Sequence, residues 1–156
     1  QALSPFNAWM FLQGLETLPL RMREHCRNAE TVAKHLEAHP KVGKVIFAGL
    51  EKDAAIKARN EAHMAGGWGG LVGFELKGGA EAGMAFINGL KLLYHVANIG
   101  DARSLAIHPW STTHQQLSDE EKNAAGVTES YVRLSIGIEH IDDILEDLDQ
   151  ALAAAG

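Results

Sequence analysis

Apolar and polar positions alternate strictly from Tyr131 to Glu139. Val132, Leu134, Ile136 and Ile138 fall on one side of an extended chain, and Tyr131, Arg133, Ser135 and Gly137 on the other. The pattern predicts a half-buried strand from whose middle one arginine projects, on the face opposite the core. Val42 to Phe47 reads as a short strand. Leu71 to Lys77 reads as another, with Val72, Phe74 and Leu76 set against Leu71, Gly73, Glu75 and Lys77. Tyr94 to Ile99 and Leu105 to His108 are short extended pieces around the turn formers Gly100-Asp101.

Helical spacing fills the intervals. Ser4-Pro5 is a hydroxyl cap followed by proline at the first helical position, where its missing N–H costs nothing. The helix it opens runs to about Glu16 and is apolar nearly all round (Phe6, Trp9, Met10, Phe11, Leu12, Leu15). Such a helix is expected to be buried, or covered by another domain or subunit. After Thr17-Leu18-Pro19 a second helix reaches about Ala38, with Met22, Cys26, Ala29, Ala33 and Leu36 along one face, and Pro40 stops it. Helices are also expected from about Glu51 to His63 and from Glu81 to Leu92. Another opens after the capping-box match Ser118 to Glu121, and a last one is marked by Ile141, Ile144, Leu145, Leu148 and Leu152. Strands interleaved with helices predict an α/β sandwich (α+β), a small sheet with one face covered by helices.

Bulk properties narrow the function. One hundred and fifty-six residues suit one domain. A net charge of −6 without a basic cluster argues against a nucleic-acid partner. No apolar run approaches the roughly 20 residues that span a bilayer, so no membrane partner is expected. Cys26 is the sole cysteine, which excludes an intrachain disulfide and fits a reducing, cytoplasmic setting. The chain opens on Gln1 with no initiator methionine, and reads as a piece of something longer.

Several chemistries fail on spacing. The run Gly66-Gly67-Trp68-Gly69-Gly70 does not make a phosphate loop and precedes a strand, so it reads as a flexible entry loop. His35 and His39 stand four apart on a helix, but the intervening Leu-Glu-Ala misplaces the glutamate of a zinc motif and no third ligand is evident; no metal is expected. Ser104, Ser111 and Ser135 lack a nucleophile-elbow context, and Cys26 on an apolar helix face reads as packed. The segment from Asn98 to His114 is different, because it strings turn formers, hydroxyls, an amide and two imidazoles together. Set beside Arg133 it could complete an anion pocket, with Asn98 and Thr113 as hydrogen-bonding partners and the guanidinium as the charge. The alternative is an arginine on a solvated sheet face. Residue types alone therefore lead to an anion half-site without a catalyst.

At these residues the sequence resembles the carboxyl-terminal domain of the Cys/Met-metabolism family of fold-type-I pyridoxal-phosphate enzymes. The likeness is carried by L-S-P-F-N-A-W, G-L-E-T-L-P-L-R-M, G-F-E-L-K-G-G, N-I-G-D-A-R-S-L-x-I-H-P-x-S-T-T-H-Q-Q-L and V-R-L-S-I-G-I-E-x-I-D-D, over nearly the whole chain. It implies a mostly antiparallel sheet, with residues 1–40 as connecting helices and 41–156 as the small domain. The large cofactor-binding domain would be absent from this chain. By the same resemblance Arg133 binds the α-carboxylate of an amino-acid substrate. Asn98-Ile99 stand where the family commonly has Ser-Leu beside that carboxylate, and Thr113 matches a threonine near the pocket. His108 and His114 are expected to order the matched loop. The family forms its Schiff base on a lysine in an S-x-T-K context, which none of the eight lysines here shares. The chain alone is thus expected to bind no pyridoxal phosphate and to be inactive. N-I-G-D and S-T-T-H-Q-Q-L are most similar to the O-acetylhomoserine sulfhydrylase branch, implying replacement of acetate by sulfide or a thiol in a tetrameric full-length enzyme. Cystathionine γ-synthase or methionine γ-lyase chemistry is the nearest alternative. A non-catalytic module binding small acids or a partner is another.

Overall fold

In the computed structural model, residues 2–64 and 66–156 are described; Gln1, on which the chain opens, and Ala65 lie outside the described residues. Ser4 Oγ accepts from the Asn7 amide and starts α1 (Pro5–Glu16), and α2 (Leu18–Ala38) follows almost at once. Then come β1 (Val42–Ile46), α3 (Ala54–His63), β2 (Leu71–Leu76), α4 (Gly79–Gly89), β3 (Tyr94–His95) and β4 (Leu105–Ile107). The chain closes with α5 (Asp119–Ala124), β5 (Tyr131–Ser135) and α6 (Ile141–Ala154). The architecture is mixed α/β. Among the described residues the strands form one five-stranded sheet in the order β1-β2-β5-β4-β3, antiparallel except for the β3–β4 pair.

The alternation in β2 and β5 puts Val72, Phe74, Leu76, Val132 and Leu134 on one face, where α2, α4 and α6 cover them. Phe74 and Phe86 meet edge to face at 5.3 Å in this layer. Buried Ile144, Leu148 and Leu152 dock α6 against it.

Three expectations need correction. β5 stops at Ser135, short of the predicted alternation; beyond it Ile136 remains buried, but Ile138 is 38% exposed. The reason lies in the other main-chain groups. The Ile136 amide still donates to Gly70 O in register with β2, and the Ile138 amide to Ala102 O in register with β4. The carbonyls of Ile136, Gly137 and Glu139, however, turn to side chains of α2 and the Gly137 amide to Ser104 Oγ, so the regular ladder ends. On α2 the inner stripe begins with His25 and Asn28, while Met22 is exposed. Those two polar side chains turn inward because they have carbonyls to meet. His25 Nδ1 donates to Ile136 O at 2.6 Å, and Asn28 Nδ2 to Gly137 O and Glu139 O. The glycine run is packed against α2: Gly67 lies against Cys26 and Gly70 against His25, with no room for a Cβ at Gly67. Of the two alternatives for α1, burial within this chain is not the one found: none of its residues is buried, and Phe6 is 65% exposed.

Candidate functional site

β5 carries Arg133 at the centre of the sheet, between Gly73 of β2 and Ile107 of β4. The register sets it on the face away from the three helices. Gly73 is needed there, because the Tyr131 ring lies across it and an added Cβ would come within 2.7 Å of that ring. Burial pushes the Tyr131 phenol above its usual 10.0, the neighbouring guanidinium of Arg133 pulls it back, and Glu75 adds to the rise.

The Arg133 side chain is half-buried and runs beneath the segment that follows β3. Its Nη2 donates to Ala97 O at 2.8 Å and, more weakly, to Asn98 O at 3.4 Å. Nε is buried and without a partner, an orphan donor on a charged group. Among the described residues no carboxylate lies within ion-pair distance of this guanidinium. It therefore keeps its charge and donor capacity for an anion.

Beside it opens a cavity of about 500 Å³, lined by His95, Val96, Ala97, Ile107, Ser111, Thr112, Thr113 and Gln115. Ala97 joins the two, since its carbonyl holds Arg133 and the residue lines the cavity wall. A slightly larger cavity, about 570 Å³, lies at the far edge of the sheet along β1; none of the predicted residues lines it, and its Lys52 is paired with Glu37. Lys44 also lines the larger cavity and has no ion pair among the described residues, but the smaller cavity is the one that adjoins Arg133 and is lined by the predicted Thr113.

The other predicted residues are placed as follows. Asn98 comes to Arg133 with its main-chain carbonyl; its side-chain amide makes no hydrogen bond among the described residues, and the contact expected of it is to an anion. Ile99 is 59% exposed at the loop crest. Thr113 lines the cavity and shares a hydrogen bond with His114 Nδ1 at 2.9 Å. His108 is buried: Nε2 donates to Glu129 O at 2.8 Å, leaving Nδ1 to accept from the Ser111 hydroxyl at 2.8 Å. That imidazole fixes the turn Pro109–Ser111, which leads into the cavity wall. His35 Nε2 bonds Asp149 Oδ1 at 2.6 Å, and His39 Nδ1 accepts from the Lys41 amide.

Two contributors were hidden in the sequence. The Ala97 carbonyl carries no residue-type signal. Ser135 shares Arg133's face by alternation, and its hydroxyl accepts from the Gly100 amide at 3.0 Å; a serine two residues from the arginine on one strand was the available sign. The β3 strand is only two residues long because the next carbonyls, at Ala97 and Asn98, turn toward the guanidinium and Gly100 (φ +79°) bends the chain back.

A family model described as Cys/Met metabolism PLP-dependent enzyme matches residues 1–153. The chain is 56% identical over 151 residues to an O-acetyl-L-homoserine sulfhydrylase of Leptospira meyeri, covering 97% of this chain and 34% of that protein. It is 41% identical to an L-methionine gamma-lyase of Fusobacterium nucleatum, over 96% of this chain and 38% of the relative. A crystal structure from Campylobacter jejuni, assigned as an O-acetylhomoserine (thiol)-lyase and holding N'-pyridoxyl-lysine-5'-monophosphate, superposes with a TM-score of 0.84 at 42% identity. That match covers 97% of this chain and 36% of the solved one. The chain spans about a third of the length of the curated relatives it matches.

Proposed function

This chain belongs to the Cys/Met metabolism family of pyridoxal-phosphate-dependent enzymes, and from that premise we propose that it supplies the substrate-carboxylate grip of a longer enzyme. Residues 1–40 act as connecting helices, and 41–156 as the small domain that carries Arg133, Asn98, Ile99 and Thr113 to the substrate. The observation that carries the reading is the state of Arg133. Its guanidinium is rigidly seated, unpaired with any acid among the described residues, holds a buried orphan Nε, and opens beside a cavity sized for a small molecule.

The described residues do not fit the cofactor itself. The glycine run is closed onto α2. Lys122, the buried lysine, is committed to Asp119 at 3.1 Å and to the Trp110 ring, and no lysine lines the cavity beside Arg133. Cofactor, Schiff-base lysine and proton transfers therefore belong, in this reading, to the part of the enzyme outside this chain. What these residues do is orient: a carboxylate fixed at Arg133 restricts rotation of the amino acid about its α-carbon.

The reaction proposed for the whole enzyme is γ-replacement on O-acetyl-L-homoserine. The Cγ–O bond breaks, acetate departs with the electron pair, and a C–S bond forms to sulfide or a thiol. The higher identity to the sulfhydrylase relative than to the γ-lyase favours this over elimination alone. The exposed apolar α1 is accounted for by the same reading, as a surface covered in the assembled homo-oligomeric enzyme. Arg133→Ala in the full-length enzyme tests the core of the proposal. Losing a charge-assisted bond predicts a KM for the amino-acid substrate raised roughly ten- to hundredfold, and an unchanged KM removes Arg133 from the site.

A further inference from the structure

The segment 97–104, which overhangs Arg133, is laced along β5 and its continuation. Arg133 Nη2 holds Ala97 O, Ser135 Oγ accepts from the Gly100 amide at 3.0 Å, and the Ile138 amide donates to Ala102 O at 2.9 Å. At the far end Ser104 is fixed three ways. Its hydroxyl accepts from the Gly137 amide at 2.8 Å and donates to Glu139 Oε2 at 2.9 Å, and its own amide donates to Glu139 Oε1 at 2.6 Å. Among the described residues, the near end, 97–100, is held by hydrogen bonds to Arg133 and Ser135.

Among the described residues Ser135 has no other hydrogen-bond partner for its hydroxyl. It is only 3% exposed, and its register neighbours are Leu71 and Leu105, which offer no side-chain hydrogen bond. A buried hydroxyl between two leucines is retained at a cost unless it is used, and its use here is to hold the Gly100 amide. An anion arriving at Arg133 competes with Ala97 O and Asn98 O for the same guanidinium. Once that hold is shared, the hydroxyl of Ser135 is the nearest remaining anchor of the loop.

We propose that Ser135 is a positioning residue that keeps residues 97–100 over Arg133 while a carboxylate occupies the guanidinium. The inference rests on the carboxylate-binding reading of Arg133. Ser135 touches no substrate and acts through the loop.

The test uses the full-length enzyme with Ser135→Ala, Ser135→Thr and Arg133→Ala, with O-acetyl-L-homoserine and its α-carboxamide as ligands. Ser135→Ala is expected to raise KM for the carboxylate substrate about three- to tenfold, the scale of one net hydrogen bond, with kcat within about twofold. Affinity for the carboxamide should not move, and amide exchange across 97–103 should quicken. Ser135→Thr, which keeps the hydroxyl, should restore both KM and exchange. Unchanged KM in Ser135→Ala while Arg133→Ala raises it overturns the role of Ser135 and leaves the carboxylate reading standing. Unchanged KM in Arg133→Ala overturns the reading itself. Equal loss with both ligands marks general damage and also overturns the proposal, whether or not Ser135→Thr folds.

Discussion

Gly83 sets up a prediction in which the sign decides. It lies on α4 with its Cα against the buried His108 ring, and a Cβ built there would sit 2.6 Å from Nε2 and 2.7 Å from Cδ2. Ordinary contact needs about 3.5 Å, so Gly83→Ala drives the imidazole back by close to an ångström. The ring has nowhere neutral to go. Nε2 is bonded to Glu129 O and Nδ1 to the Ser111 hydroxyl, both at 2.8 Å, and His108 is 1% exposed. Breaking the Glu129 bond strands a buried polar group at about 1–3 kcal/mol, and the overpacking adds a further 1–3 kcal/mol or so. Against this stands a gain of about 1 kcal/mol for alanine over glycine inside a helix. The net expectation is a loss of about 1–5 kcal/mol, a large share of a typical domain's stability. Gly14 in α1 is the control, because nothing lies within 4 Å of a Cβ there. Gly14→Ala should stabilise, if anything, by up to about 1 kcal/mol. Urea denaturation followed by circular dichroism, extrapolated linearly, compares the two. If Gly83→Ala stabilises as Gly14→Ala does, the packing argument for His108 is wrong.

Two further outcomes are expected. Asp147 is buried and accepts from the amides of Lys91, Leu92 and Leu93 at 2.8, 2.9 and 3.0 Å, tying α6 to the approach to β3. Asp147→Ala should therefore cost at least about 3 kcal/mol in the same urea assay, and a loss under about 1 kcal/mol would refute the tie. Tyr131 supplies a pH dependence. Burial first, with Glu75 adding and Arg133 opposing, holds its phenol above 10.0. The unfolded chain therefore releases the proton while the folded chain still keeps it, and stability falls as pH rises beyond about 10. Tyr131→Phe should flatten that alkaline decline in urea midpoints; an unaltered slope would assign it to other groups.

The parts of the fold written in side-chain period were legible. Val72, Phe74, Val132 and Leu134 announce their face by alternation, and Ile144, Leu148 and Leu152 their helix stripe. The parts decided by main-chain partners were not. Ile136 and Ile138 continue the apolar period past the end of β5, yet the carbonyls of Ile136 and Gly137 go to side chains of α2 and the strand ends. His25 and Asn28 look like surface residues until the carbonyls of Ile136, Gly137 and Glu139 are seen opposite them. At the candidate site the same division holds. Arg133 was visible because residue type and period pointed the same way. Asn98 was named for its amide, whereas the groups that hold the guanidinium are its carbonyl and that of Ala97, which no residue type announces.

The identity of what steadies Arg133 has one last consequence. Carbonyl dipoles restrain the side chain without cancelling its formal charge, as an aspartate in the same place would have done. On the proposed reading of Arg133, an incoming acid would meet a cation at full strength and already aimed, with no counter-ion among the described residues to evict first. The sheet would pre-orient the receptor and leave the attraction for the guest.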